Sequence, residues 1–319
     1  MDDRSPRTDR WDRAAARERL EREAFDVVVV GGGVTGAGVA RDAALRGLRV
    51  ALVEAVDFAS GASSRTTKFA HGGLRYLEML DFGLVREALA ERATLLSIAP
   101  HLTAATPFVL PVYAGRGRPS WKLKTGLSLY DALAGGTRLG RHQMLDATGA
   151  RAREPLLSPD GLKGAGVYWD ARVRDARLAV ETVADARRAG AVVANRCRVV
   201  GLEPWKMGWE GSIEDAAEGS TFTLRGRAWV NATGPWSDRL RALVTPDRPP
   251  LLWPTKGVHV VLPREVVPLR DPTALFAPDG RLIFAVPEDR WTYLGTTDTR
   301  DGGEVDDHSV DGSDVAYLV

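Results

Sequence analysis

The stretch FDVVVVGGGVTGAGVARDAALRGLRVALVEAVDFASGASSRTTKFAHGGLRYLE, residues 25–78, decides the fold. Asp26–Val30 is an apolar, β-branched run of the kind that a strand buried on both faces requires. Gly31, Gly33 and Gly36 follow as G-x-G-x-x-G, opening a predicted helix over Val34–Arg46. The first glycine permits a tight turn, the second lets backbone approach a pyrophosphate, and the third lets helix and strand pack closely. Phosphates would meet free N–H groups at the positive end of the helix dipole. A second predicted strand, Arg49–Val53, ends in Glu54, about 20 residues beyond the glycines, as this dinucleotide fingerprint asks. An acid there accepts hydrogen bonds from both ribose hydroxyls and repels a 2′-phosphate. The nucleotide expected is therefore NAD or the AMP half of FAD, and not NADP.

The chain has 319 residues, enough for two ordinary domains or one large one. Its 44% hydrophobic and 27% charged composition is that of a globular chain. Lys plus Arg (43) balance Asp plus Glu (42), so no global field recruits nucleic acid. One cysteine, Cys197, leaves no intrachain disulfide and no multi-cysteine metal site. Within AVVANRCRVV it reads as a small buried thiol. No His/Asp/Glu cluster has ligand spacing, so no metal is expected. Residues 1–24 read as a charged, solvated, partly helical tail. With no signal-like leader and no run of about 18 apolar residues, a cytoplasmic location is expected, with peripheral membrane contact left open.

Further along, Asp81 caps a predicted helix through Ala99 with Leu84, Val85, Ala88, Leu89, Leu95, Leu96 and Ile98 as its apolar face. Residues 107–113 and 164–173 read as strands, RGRPSWKLKTGLSLYDALAG as a Gly-interrupted helix, and Asp175–Ala189 as a helix. Thr221–Leu224 and Arg227–Val230 read as an antiparallel pair after a variable loop, 206–220. Beyond a Pro-rich linker at 245–255, GVHVVLP, ALFAPDGRLIFAVP and WTYLGTT read as a β-meander with Asp279–Gly280 at a hairpin turn. The chain closes on DVAYLV, which reads as the opening of an amphipathic helix and suggests an incomplete C-terminus. The expected organisation is an α/β fold: a flexible tail at 1–24, a discontinuous Rossmann-like nucleotide domain at 25–98 and 171–240, and a second domain on an antiparallel sheet at 99–170 and 241–319.

SSRTTKFAHGGLRYLE, residues 63–78, separates the two nucleotides. A flavin needs small residues near its ring, hydroxyls along ribityl and pyrophosphate, and substrate ligands at its face. Gly72 and Gly73 supply the first, Ser63, Ser64, Thr66 and Thr67 the second, and His71, Arg75 and Tyr76 the third. VNATGPWSD, 230–238, adds a strand end, a close-approach Gly234 and a helix start. These segments, with VREALAERATLLSIAPHL, TKGVHVVLP and LGTTDT, resemble the FAD-dependent glycerol-3-phosphate dehydrogenase family, within the wider D-amino-acid-oxidase/glutathione-reductase-like flavoproteins. HGGLRYLE carries more of that resemblance than the glycine motif, which many FAD and NAD proteins share.

The resemblance implies FAD as cofactor, oxidation of sn-glycerol 3-phosphate to dihydroxyacetone phosphate, and electrons passed to quinone. It also implies a substrate-facing or flavin-edge role for Lys256, and further segments that this chain does not contain. Secondary-alcohol oxidation needs a base of near-neutral pKa, for which His71 is the candidate; a hydrogen bond to flavin or backbone is its other reading. Arg75 offers a planar fork to a phosphate, or an ion pair to Glu78 or Asp81. His101 and His259 read as structural, and Asp298 with Thr296–Thr297 as a lining of the site. Two alternatives stay open: a flavin oxidase of an amino acid or 2-hydroxy acid, and a flavin-binding protein without turnover. RGRPSWKLKTGLSLY mixes four basic residues with Trp121, Leu123 and Leu127, so it reads as a lipid contact or a solvated helix edge.

Overall fold

The apolar run Ala24–Val30 becomes an inner strand because both of its faces are covered. Val28 and Val30 point into one core cluster with Leu20, Ala51, Ile213 and Phe222. Val29 points into the opposite cluster, with Ala37, Ala40, Leu52 and Val183. In the computed structural model, which describes residues 11–206, 208–277, 279–300, 305–306 and 309–319, this strand belongs to a six-stranded sheet. Strands Val192–Ala194, Val50–Val53, Ala24–Val30 and Ser220–Asn231 run parallel, and Gly208–Asp215 and Cys197–Trp205 add an antiparallel flank. Helices Val34–Leu45 and Asp175–Arg188 cover one face, and their contact surface is mostly alanine, which lets them sit close to the sheet.

Two expectations change here. The loop foreseen at 206–220 contains the strand Gly208–Asp215, whose inward side chains alternate and whose Gly211 lies against the Trp229 ring. Thr221–Leu224 and Arg227–Val230 are one continuous strand rather than a hairpin, because Gly226 leaves room for Val28 of the neighbouring strand. Cys197 is buried, and burial pushes its thiol up to about 11.

The second unit is built on an eight-stranded sheet. Its long central pair, Thr103–Tyr113 and Leu162–Val173, is antiparallel throughout. Phe108 and Leu110 face helices Phe82–Ile98 and Ser120–Ala134, while Val109 faces helix Ala147–Arg153. Gly126 does not interrupt the helix in which it lies. On the Phe82–Ile98 helix the buried residues are Val85, Leu89 and Arg92, and Leu84 and Ile98 of the expected apolar face are exposed. The C-terminal strands run in the order His259–Pro263, Trp291–Gly295, Leu282–Glu288, Thr273–Phe276, so the first joins the far side of the meander. Gly280, in the left-handed region, closes the expected hairpin turn.

The boundaries move as well. One compact unit comprises Met1–Arg65 with Asp175–Leu252, the other Thr66–Arg174 with Trp253–Val319. Residues 66–98, expected with the nucleotide domain, join the second unit because Phe69–Ala70 pairs with Arg172 and Ala171. The cut expected at 170/171 falls inside a strand paired out to Val173. Residues 241–252 stay with the first unit, where Asp238 accepts the amides of Leu251 and Leu252.

The expected tail is also revised. Residues 1–10 lie outside the described residues; Arg13–Arg22 is a helix capped by Asp12 and packed through a buried Leu20. Arg13 donates to Asp215 at 2.6 Å and to the Asn195 carbonyl at 3.1 Å, and Arg17 stacks 3.5 Å over the Phe222 ring. The charges that suggested solvation are thus the ones that dock the helix. Burial works to raise the Asp215 carboxyl, but hydrogen bonds from Arg13 and the Ala217 amide outweigh it and hold it below the usual carboxylate range.

A depressed carboxyl stabilises the fold above its unfolded pKa, and that contribution drains as pH falls through the folded value. Asp215→Asn is expected to cost about 2 kcal/mol at pH 7, less than a fully buried pair because the Arg13 side chain is 23% exposed. The melting midpoint should fall by roughly 4–8 °C. The gap between variant and parent should be full above about pH 4, begin to narrow below it, and close as pH falls through the depressed folded value; thermal melts across that range check it, and a gap independent of pH would refute the clasp.

Candidate active site

In the first unit the glycine turn is held together by backbone against backbone. A Cβ on Gly36 would lie 1.9 Å from the Gly31 carbonyl oxygen. One on Gly31, at φ +110°, would lie 2.4 Å from the Ala232 carbonyl oxygen. A Cβ on Gly33 would meet only the Ser63 hydroxyl, at 3.0 Å. The first and third glycines are therefore required by the fold, whereas the second keeps the helix end open. No side chain caps the helix at Gly33, and Ser63 Oγ accepts the Val34 amide at 2.9 Å. Glu54 reaches back from the end of its strand to accept the Gly32 amide at 2.7 Å and the Val56 amide at 2.8 Å.

Gly31, Gly33, Gly36, Glu54 and Ser63 thus meet at one end of the parallel sheet. Gly234 follows the strand whose end abuts Gly31; it is exposed, in the left-handed region, with nothing within 4 Å of where its Cβ would be. Ser64 instead turns its hydroxyl to the Gly61 carbonyl, and Trp236 lies over Gly61. An open helix N-terminus beside a bare glycine and a half-buried carboxylate fits a dinucleotide pyrophosphate and ribose. The residues present fit the nucleotide half of FAD.

In the second unit Gly72 and Gly73 are buried and adjoin an exposed His71. Gly73, at φ +75°, starts the turn Leu74–Met79, which carries Arg75 and Tyr76. Arg75 is exposed and, among the described residues, forms no ion pair. Both carboxylates weighed as its partners are otherwise engaged. Glu78 is bound by Arg118, whose hydrogen bonds hold its carboxyl below the usual range, and Asp81 caps the following helix by accepting the Leu84 amide.

Two residues sit differently from expectation. Lys256 is tied to the C-terminal helix Gly312–Leu318: its ammonium lies 2.7 Å from Asp314 and 3.8 Å from Asp311. Thr67, assigned to cofactor, lies 3.3 Å from Nε2 of His259, which the sequence reading set aside as structural. Thr297 is buried and accepts the Val258 amide, while Thr296 and Asp298 are exposed. Among the described residues no group of three His, Cys, Asp or Glu side chains is placed to hold a metal.

The largest feature missed from sequence is beneath the glycine pair. Asp170 Oδ1 accepts the Gly72 amide at 3.0 Å and Arg92 at 2.9 Å, and Oδ2 accepts the Tyr130 hydroxyl at 3.1 Å. Asp170, Arg92 and Tyr130 are all essentially buried. Burial pushes Asp170 up, against the opposing pull of Arg92 and the Gly72 amide, and it pushes the Tyr130 hydroxyl far up. Signals existed: Arg92 falls on the stripe of Val85 and Leu89, and Asp170 shares its strand face with the buried Tyr168.

Different outcomes are expected for two alanine substitutions in one motif. Gly36→Ala should prevent folding of the first unit, since backbone would have to move. Gly33→Ala should fold with a melting midpoint within about 2 °C of the parent yet lose most bound flavin, because a methyl then stands where backbone must approach phosphate. Flavin absorbance per chain alongside thermal melts decides it; full flavin content in Gly33→Ala would remove that glycine from the site.

A family model described as FAD dependent oxidoreductase matches residues 26–319. The alpha-glycerophosphate oxidase of Enterococcus casseliflavus is 39% identical over 316 residues, covering 97% of this chain and 52% of the relative. The aerobic glycerol-3-phosphate dehydrogenase of Bacillus subtilis is 42% identical over 281 residues, covering 88% of this chain and 51% of the relative. Among solved structures, the glycerol-3-phosphate dehydrogenase from Bacillus halodurans complexed with FAD superposes with a TM-score of 0.77 at 32% identity, covering 96% of this chain and 54% of that one. The chain spans about half the length of these relatives. With the nucleotide cradle and the Rossmann-like sheet in place, the match over residues 26–319 settles the family: this chain belongs to the FAD-dependent oxidoreductases.

Proposed function

We propose that the protein oxidises sn-glycerol 3-phosphate to dihydroxyacetone phosphate, with FAD as the immediate acceptor and quinone as the final one. The carrying observation is Arg75: an exposed guanidinium on a fixed turn that forms no ion pair among the described residues, with Glu78, whose carboxylate its charge still reaches, gripped by Arg118 and Asp81 engaged in a helix cap. That leaves a planar, permanently charged fork for an anion, the geometry that suits a phosphate ester. The names of the relatives point to the same substrate.

FAD, when bound, supplies a two-electron acceptor for the hydride leaving the carbinol carbon. The chain's own residues do the rest. Gly31, Gly33, Gly36, Glu54 and Ser63 hold the nucleotide, and Ser64, Thr67, Gly72, Gly73 and Gly234 are assigned to the remainder of the cofactor. Arg75 binds the phosphate and Tyr76 adds a hydroxyl donor. His71 takes the proton of the secondary hydroxyl as the carbon loses hydride, so the alcohol becomes a ketone and no charge is stranded. A substrate contact from Lys256 requires it to give up Asp314.

Anaerobic addition of sn-glycerol 3-phosphate is expected to bleach the flavin absorbance, and D-amino acids and 2-hydroxy acids to leave it unchanged. Arg75→Ala should raise KM about 10–100-fold, the worth of one charged hydrogen bond or a little more. Bleaching by an amino acid instead would establish the rival substrate class, and retained yellow colour with no reduction by any of these would establish binding without turnover. Reoxidation by a soluble quinone faster than by dissolved oxygen supports quinone; the reverse makes the protein an oxidase.

Quinone chemistry implies contact with lipid. No helix among the described residues is long and apolar enough to cross a membrane. Of the apolar residues of RGRPSWKLKTGLSLY read as a lipid contact, Leu127 is buried and Leu123 packs against the same core, so only Trp121 stays exposed; Met79, Leu80, Phe82 and Leu84 are exposed too, and Glu78 joins the two segments through Arg118 and Lys122. Apolar side chains edged by Arg116, Arg118, Lys122 and Lys124 suit an anionic lipid surface. Co-sedimentation with anionic vesicles should be lost when those four basic residues are neutralised, and binding that survives would discard the contact.

A further inference from the structure

Asp170 differs from an ordinary buried ion-pair partner in where its third hydrogen bond goes. Arg92 reaches it from the helix Phe82–Ile98 and Tyr130 from the helix Ser120–Ala134, both within the core of the second unit. Arg92 is further fixed by the Trp169 carbonyl at 3.1 Å and the Thr137 carbonyl at 3.4 Å. The remaining donor is the amide of Gly72, between His71 and Gly73. A Cβ on Gly72 would lie 2.2 Å from the Tyr130 hydroxyl and 2.4 Å from Leu89 Cδ2, so the Gly72 backbone rests directly on this cluster.

All three partners donate, which is the coordination of an ionised carboxylate, since such a group only accepts. A buried pair of this kind is often no more stabilising than apolar side chains of equal volume. An apolar replacement, however, would leave the Gly72 amide buried without an acceptor. Two consequences follow for the surface above. The peptide before Gly72 is held by that hydrogen bond, which restrains the backbone from which His71 departs. The left-handed Gly73 is likewise anchored, and its carbonyl accepts the Tyr76 amide at 2.8 Å, which fixes the turn carrying Arg75 and Tyr76.

The geometry points to Asp170 as a positioning residue for the site: through the Gly72 amide it sets the direction of His71 and the register of the Leu74–Met79 turn. The catalytic consequence rests on the function proposed above; the structural consequence does not.

Amide hydrogen exchange of the full chain, with and without flavin, reads the structural part. Asp170→Ala should raise exchange across residues 70–77 about 10-fold or more while residues 25–53 are unchanged. Asp170→Asn, which keeps an oxygen for the Gly72 amide, should restore most of that protection. Tyr130→Phe removes a different donor from the same carboxylate and should leave residues 70–77 protected. In the flavin-loaded protein, flavin reduction at saturating glycerol 3-phosphate should slow about 30–100-fold in Asp170→Ala, the loss expected of a base misplaced by about 1 Å. It should recover to within about 5-fold in Asp170→Asn, at unchanged flavin content.

Should Asp170→Ala not fold, the double variant Arg92→Met with Asp170→Ser removes both charges together, withdraws the oxygen from Gly72, and is expected to loosen the same residues. Unchanged exchange at 70–77 in a folded variant lacking the acceptor would overturn the proposal. So would equal loosening by Tyr130→Phe, which would mark general destabilisation. A parent protein whose flavin glycerol 3-phosphate never reduces would refute the substrate reading alone, with the exchange result still deciding the role of Asp170.

Discussion

Three backbone segments meet at Gly31 with no side chain between them, and the first unit is arranged around that meeting. The helix that begins at Val34 presses its Gly36 onto the Gly31 carbonyl, and the end of the Ser220–Asn231 strand presses Ala232 onto Gly31 from the other side. Backbone packed this closely dictates where the strand ends and the angle at which the helix leaves. It also leaves the helix N-terminus without a cap from Gly33 itself, with Ser63 Oγ on the Val34 amide and Glu54 drawn in against the Gly32 amide. The helix end proposed to meet the pyrophosphate is thus produced by the same packing that builds the fold. Of the three fingerprint glycines, Gly33 alone has no backbone against the place of its Cβ, where only the Ser63 hydroxyl lies, at 3.0 Å.

Glycines in the second unit answer to a different constraint. The pair Gly72–Gly73 invites explanation from above, by a flat ring that needs room. The structure supplies an explanation from below, because the Tyr130 hydroxyl and the Leu89 side chain occupy the space of a Gly72 Cβ, and Gly73 needs a left-handed φ with the Tyr76 ring alongside. The two explanations do not compete. A glycine stacked on a rigid polar cluster presents a flat, immobile peptide to whatever lies on its outer face.

Much of this was readable from residue patterns where the signal was local. The glycine fingerprint, the Asp81 cap, the Asp279–Gly280 turn and the helix Asp175–Arg188 each rest on a few neighbouring residues, and each is found as expected. What stayed hidden depends on partners far away in sequence. Arg13 and Asp215 are 202 residues apart, so the N-terminal helix reads as a solvated tail until the strand that neutralises it is known. Arg92 and Asp170 are 78 apart, and each looks like an exception within its own element. The domain boundary failed for the same reason: two residues, Phe69 and Ala70, pair with a strand a hundred positions later and carry the whole following helix with them. Lys256 is a quieter case, since the acids that hold it come from a short helix whose own cap they also form.

Under the proposed function, the groups assigned in the two units differ along a physical line. Holding a dinucleotide calls for many fixed, weak donors whose strength does not vary with pH, and backbone amides at a helix end provide them without a titratable group. Moving a proton and gripping a phosphate call for full charges, which hydrate strongly and wander on long side chains unless something fixes their base. His71 and Arg75 are exposed, so nothing around their tips can do that. Their order has to come from the main chain beneath them, where the Gly72 amide is gripped by a carboxylate that is itself held by a buried arginine and a buried tyrosine. A site of this design keeps its charged ends in solvent, ready for an ionic substrate, while their direction is decided in the core.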